Sequence, residues 1–234
     1  MGGGGSGQAG TTGNGGTGQG GMAGSAVAPL TIMAIGDSMT ASTCWRAALW
    51  QTLDAKHAGR FDVVGAHTSD FACSPTGYDK DSEAYDNAKV SDFSAAFMTF
   101  KPDVALIQFG TDDVLKGAST NDVISGYSQI VLALRAANPA VQIFLGRPPT
   151  VLVTDRTCSG CTCAACATTL QEINDHLSSW WRAANVTLVD ARNDLIDVGA
   201  ETRDGVHPND SGSAKMAARW DAALERLPQF VFPR

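Results

Sequence analysis

The sequence predicts an α/β fold in which a parallel sheet is covered by helices on both faces. Three observations carry this. Five short apolar runs of strand length alternate with longer segments of helical periodicity. With 44% hydrophobic and 18% charged residues, the chain of 234 can bury a sizeable core. The runs themselves are nearly free of charge, as strands buried on both faces are.

The elements follow in order. "LTIMAIG" (30–36) is the first strand, and "CWRAALWQTLDAKHAG" (44–59) a helix. "FDVVG" (61–65) is the second strand; an irregular polar stretch follows it, then a helical "VSDFSAAFMTF" (90–100) and the third strand in "DVALIQFG" (103–110). "NDVISGYSQIVLALRAANP" (121–139) has helical spacing, with Asn138 and Pro139 as its stop. "VQIFLG" (141–146) is the fourth strand, followed by a cysteine-rich loop and the helix "TTLQEINDHLSSWWRAAN" (168–185). "VTLVD" (186–190) is the fifth strand, and "DSGSAKMAARWDAALERL" (210–227) the last helix. Residues 1–28 are rich in glycine, carry no charge and have almost no apolar side chain, so nothing offsets the entropy of ordering them. They read as a flexible tether with a span of roughly 25–30 Å, and residues 29–234 as one domain.

Bulk properties exclude several classes of function. A net charge of −7 without clustered Lys and Arg argues against nucleic acid as a partner. No apolar run reaches the length of a bilayer helix, and no basic start with an apolar stretch reads as a signal peptide. Four of the six cysteines crowd into "CSGCTCAAC" as Cys158, Cys161, Cys163 and Cys166. Two readings compete: four thiolates on zinc, for which the single residue between the pairs leaves little chain, or a loop stapled by two disulfides, with Cys44 and Cys73 available for a third. Trp45, Trp50, Trp180 and Trp181 fall at helical spacings and read as core or partly buried groove wall. His57, His67 and His176 read as surface residues.

In a parallel sheet, ligands bind beyond the carboxyl ends of the strands. The first strand delivers Gly36, Asp37 and Ser38 there, the third delivers Gly110, Thr111, Asp112 and Asp113, and "DGVHPND" (204–210) brings Asp204 and His207 into the loop before the last helix. A serine needs a base within hydrogen-bond reach to act as a nucleophile. His207 is the best placed of the four histidines, and Asp204 is positioned to hold its tautomer. Asp37 reads as structural, and Asp113 either as a support for the site or as an exposed loop acid.

"GDSMT", "GTDD" and "DGVHPND" resemble the first, third and fifth sequence blocks of the SGNH hydrolases, also called the GDSL family. "CWRAALWQ", "YDKDSE", the cysteine loop and "DGVHPNDSGSAKMAARW" are similar to the acetylxylan-esterase-like carbohydrate esterases of that superfamily, over roughly residues 30–227. The resemblance implies a three-layer α/β/α sandwich around a five-stranded, flavodoxin-like parallel sheet. It also implies serine ester hydrolysis without a metal or other cofactor, and a secreted protein. The expected partner is an acetylated polysaccharide such as acetylxylan, or a small ester, acted on by a monomer. By position, Ser38 is the expected nucleophile, His207 the base and Asp204 its orienting acid. The oxyanion donors are expected at Ser38 N–H, Asn87 and Asp112.

At two of these positions the chain departs from the family. Related esterases read Glu-Gly-His-x-Gly where this sequence has Glu83, Ala84, Tyr85, Asp86 and Asn87, and Gly-x-Asn-Asp where it has Gly110, Thr111, Asp112 and Asp113. A backbone donor at Asn87 survives a change of side chain. An ionised Asp112 only accepts hydrogen bonds and repels an oxyanion. Three consequences stay open: a catalytically impaired, carbohydrate-binding relative; an Asp112 that donates in its protonated form; or an Asn87 side-chain amide that supplies the missing donor.

Overall fold

Strand β1 (Leu30–Gly36) is apolar throughout, and its alternation divides it between two cores. Met33 and Ile35 enter one, Leu30, Ile32 and Ala34 the other, because successive side chains of a strand point to opposite faces. The computed structural model describes residues 28–68, 71–74, 76–86, 88–90, 99–152, 165–190 and 197–231. The glycine-rich segment up to residue 27, residues 91–98 of the helix expected over 90–100, and Cys158, Cys161 and Cys163 lie outside them.

The remaining strands are β2 (Phe61–Val63), β3 (His67–Thr68), β4 (Asp81–Ala84), β5 (Val104–Gln108), β6 (Gln142–Gly146) and β7 (Thr187–Val189). Strands β1, β5, β6 and β7 are parallel neighbours in that order. On the other edge of β1, one strand position is shared in tandem: β2 pairs with Leu30–Ile32 and β4 with Ile35–Gly36. All five expected runs are therefore parallel strands. The addition is β4, with the two-residue β3 antiparallel to it, in the stretch read from sequence as irregular. That stretch lacks apolar alternation because Ser82 and Glu83 are buried polar residues. The Glu83 carboxylate accepts from the Ala66 N–H (2.6 Å) and the Tyr85 hydroxyl (3.1 Å).

The helices are α1 (Ser38–Ala41), α2 (Trp45–His57), α3 (Thr111–Leu115), α4 (Thr120–Ala137), α5 (Cys166–Ala183), α6 (Val198–Glu201), α7 (Asp210–Leu224) and α8 (Pro228–Val231). Helices α4 and α5 cover one face of the sheet through Val123, Ile130, Leu134, Leu170, Ile173 and Leu177. Helices α2 and α7 cover the other through Trp45, Leu49, Leu53, Met216 and Trp220. This is the expected three-layer sandwich. Helix α4 begins with a capping box, Ser119 accepting from the Asp122 N–H while the Asp122 carboxylate accepts from the Ser119 N–H. It ends before Asn138-Pro139, where the sequence places its stop. Fully buried Trp45 and Trp220 stack at 5.5 Å and lock α2 to α7. His57 corrects the surface reading: it is buried, meets Glu225 at 2.8 Å and stacks on Phe230.

Cys44 and Cys73 form a disulfide across a sequence separation of 29, and Cys166 is also disulfide-bonded. The second bond favours the stapled-loop reading over a four-thiolate zinc site. Closing a loop of this length removes about 3–4 kcal/mol of unfolded-state entropy. Replacing both Cys44 and Cys73 with serine is expected to lower the unfolding free energy by about 2–4 kcal/mol, measured by chemical denaturation. An unchanged midpoint would show that the bond does not constrain the chain.

Candidate active site

Strand β1 ends at a glycine packed tightly against β5. A Cβ on Gly36 would lie 2.5 Å from the Gln108 carbonyl oxygen and 2.1 Å from Thr40 Oγ1, so only glycine fits there. Asp37 follows as the N-cap of α1, its Oδ1 accepting from the Met39 N–H at 3.0 Å. Its Oδ2 accepts from the N–H groups of Thr111 (3.1 Å) and Asp112 (3.2 Å), tying the loop after β1 to the loop after β5. Asp37 is therefore structural, as the sequence suggests, but its task spans both loops. Burial, and then the neighbouring Asp112 carboxylate, push the Asp37 carboxyl well above its usual range.

Ser38 opens α1 and is buried. His207 reaches it from the other side of the site. The 204–207 loop is tight: Thr202 and Pro208 form an isolated bridge, the Arg203 N–H donates to the His207 carbonyl oxygen, and Gly205 takes a φ of 83° at the apex. The Asp204 Oδ1 accepts from the N–H groups of Val206 (3.0 Å) and His207 (2.7 Å), an Asx turn that places its Oδ2 2.6 Å from His207 Nδ1. His207 Nε2 then lies 2.9 Å from Ser38 Oγ. Helix α7 holds this loop in place, beginning at the Asn209 cap and packing on α2. Helix α1, which carries Ser38, meets the Trp45–Trp220 stack through the Trp45 indole N–H, which donates to the Met39 carbonyl oxygen at 3.1 Å.

A carboxylate hydrogen-bonded to Nδ1 leaves Nε2 as the acceptor facing the serine, the tautomer that can take its proton. Burial alone would raise the Asp204 carboxyl, but the His207 N–H, its ring and the Val206 N–H outweigh it and hold the group below its usual range. The folded value thus lies under the unfolded one, about 3.9. The associated stability is present above about pH 4 and fades as pH falls through the lowered value. The Asp204→Asn variant lacks this term. Its loss of stability relative to the natural chain is therefore expected to be larger at about pH 6 than at about pH 3 in denaturant titrations. An equal difference at both would exclude the coupling.

Asp112 occupies the opposite side of Ser38. Its Oδ1 lies 2.9 Å from Ser38 Oγ and its Oδ2 3.3 Å from the Ser38 nitrogen. The serine hydroxyl therefore has two acceptors, His207 Nε2 and Asp112, and one proton. Asp113 is buried, not an exposed loop acid, and accepts from the Val90 N–H (3.2 and 3.1 Å). The Tyr127 hydroxyl donates to the Phe109 carbonyl oxygen at 2.6 Å; burial, then the Asp113 and Asp37 carboxylates, raise its pKa well above normal. Of the residues expected at the site, Ser38, Asp112, Asp204 and His207 converge, and Asn87 lies outside the described residues. What sequence reasoning missed is the depth of the acid cluster. Its signal was available in "GDS" and "GTDD", three acids delivered to one sheet edge.

A family model described as "GDSL-like Lipase/Acylhydrolase family" matches residues 34–215. No curated protein matches the chain in sequence. Among solved structures, an acetyl esterase mutant with acetate ion is similar at 25% identity and a TM-score of 0.71, covering 87% of this chain and all (100%) of that one. A carbohydrate esterase family 3 protein from Talaromyces cellulolyticus is similar at 26% identity and a TM-score of 0.69, covering 83% and 96%. A family 3 carbohydrate esterase from Clostridium thermocellum, at 22% identity and a TM-score of 0.64 over 82% and 93%, shares the fold.

Proposed function

The chain belongs to the GDSL-like Lipase/Acylhydrolase family and is a carboxylic ester hydrolase, and on that premise we propose that it removes acetyl groups from a polysaccharide such as acetylxylan by a serine mechanism. The observation that carries the mechanism is the continuous chain from Asp204 through His207 to Ser38 Oγ, with links of 2.6 and 2.9 Å. Similarity to an acetyl esterase and to family 3 carbohydrate esterases supports the choice of acyl group and substrate.

In this reading Ser38 Oγ attacks the ester carbonyl carbon as His207 Nε2 takes its proton, and the carbonyl oxygen becomes an oxyanion. Asp204 stabilises the imidazolium and holds its orientation. The Ser38 N–H is one oxyanion donor, and the positions of Asn87 and Asp112 are the other two expected ones. Collapse of the intermediate expels the sugar alkoxide, which leaves as the alcohol with the proton from His207. Water, deprotonated by the same histidine, then releases acetate and restores Ser38. The disulfide between Cys44 and Cys73 supports an oxidising, extracytoplasmic setting, and no helix among the described residues is long and apolar enough to cross a membrane.

The test is acetate release from acetylated xylan and from 4-nitrophenyl acetate, with 4-nitrophenyl esters of longer acids as comparison. Release from the first two, falling with chain length, is expected. Turnover of long-chain esters alone would refute the acetyl assignment. A second reading, a catalytically impaired carbohydrate-binding relative, draws on one observation: both Asp112 carboxylate oxygens lie against Ser38.

A further inference from the structure

The link from His207 Nε2 to Ser38 Oγ joins two segments 169 residues apart. The Asx turn of the 204–207 loop fixes Asp204 against His207, but it does not fix that pair against the serine. On one side, the Leu152 N–H, from the segment after β6, donates to the Gly205 carbonyl oxygen at 2.8 Å and holds the apex of the loop. On the side of α1, the loop is held by Arg203.

Arg203 directly precedes Asp204 and is bound at both ends. Its N–H donates to the His207 carbonyl oxygen at 3.0 Å. Its Nη2 donates to the carbonyl oxygen of Ser42, the residue that ends α1. Ser42 is itself fixed: its N–H donates to the Ser38 carbonyl oxygen at 2.8 Å, and its hydroxyl donates to Asp86 Oδ1. The Arg203 guanidinium also lies over the Phe71 ring, 4.5 Å from its centroid. Ser42 and Phe71 each stand two residues before a half of the disulfide, Cys44 and Cys73. That bond therefore joins the two segments that Arg203 grips.

Magnitudes separate a folding role from a catalytic one. Arg203 is exposed, and an exposed cation–π contact or a single hydrogen bond adds little to folding stability. Proton transfer is far more sensitive. It needs Nε2 within about 2.6–3.2 Å of the hydroxyl, and a misplacement of about 1 Å costs on the order of 10²-fold in rate. A bridge too weak to matter for the fold is strong enough to matter there. We propose that Arg203 is a positioning residue: it clamps the Asp204–His207 loop to the end of α1 and so sets the distance from His207 Nε2 to Ser38 Oγ, with Phe71 holding its guanidinium flat. This role rests on the serine mechanism proposed above, whatever the ester.

The test compares 4-nitrophenyl acetate hydrolysis and thermal unfolding for the natural chain, Arg203→Ala, Arg203→Lys, Phe71→Ala and the double variant Arg203→Ala with Phe71→Ala. Arg203→Ala is expected to lower kcat about tenfold, with KM within about twofold and the unfolding midpoint within a few degrees. Arg203→Lys keeps a donor for Ser42 but not the planar face for Phe71, and should recover part of the loss, ending about threefold below the natural chain. Phe71→Ala should cost about threefold alone and nothing further beside Arg203→Ala, because both act through one contact. Should Phe71→Ala fail to fold, the comparison of alanine with lysine at position 203 decides. An unchanged kcat, a rise in KM alone, or losses that multiply in the double variant would each overturn the clamp. Should the natural chain cleave no ester, the serine reading fails, and crystal structures of the natural chain and Arg203→Ala decide the clamp separately. Separation of His207 Nε2 from Ser38 Oγ beyond about 3.5 Å in the variant alone would sustain it, and an unchanged spacing would overturn it.

Discussion

Replacing Ser38 with alanine is expected to lower ester turnover by about 10⁴–10⁶ while leaving the fold intact. The size follows from the geometry. The hydroxyl lies 2.9 Å from both His207 Nε2 and Asp112 Oδ1, and neither neighbour replaces it as a nucleophile in a two-step reaction. Two measurements check this: acetate release under saturating substrate, and thermal unfolding of the variant. The unfolding temperature should stay within a few degrees, because Oγ removal takes a small polar group from an edge of the core. Residual activity above about 1% would overturn the serine mechanism, since removing a nucleophile leaves only background catalysis. It would direct attention to water activated by the Asp112 carboxylate.

Those parts of the architecture that follow from local pattern were legible in the sequence. The strand runs 30–36, 103–110 and 141–146 are apolar and bounded by turn residues, and they form the centre of the parallel sheet. Ser38, Asp204 and His207 were legible because the carboxyl-edge rule places them together and their spacing within short loops is fixed. Strand β4 was hidden: its buried Glu83 is satisfied by the Ala66 N–H and the Tyr85 hydroxyl, partners that no periodicity reveals. His57 was misread for the same reason, since the Glu225 and Phe230 that bury it come from the far end of the chain. The identity of residue 112 was visible, but its consequence depends on which of its oxygens face Ser38.

Asp112→Asn is expected to raise the rate of ester cleavage about 10²–10³-fold at neutral to alkaline pH, the value of one oxyanion donor gained. In the natural chain the ionised carboxylate opposes the reaction in two ways. Its Oδ1 competes with His207 for the single Ser38 hydroxyl proton, and a charge-assisted hydrogen bond favours the carboxylate. Its Oδ2 engages the Ser38 N–H that the oxyanion requires and adds negative charge where negative charge develops. An asparagine of the same shape leaves the hydroxyl proton to His207 and turns donors toward the carbonyl oxygen. The measurement is kcat/KM against pH for both proteins. A natural chain silent at every pH and active after Asp112→Asn would establish the impaired, sugar-binding reading. A variant no faster than the natural chain at any pH would absolve Asp112. The Asn87 amide then becomes the remaining source of the donor, and Asn87→Ala should abolish most of the activity.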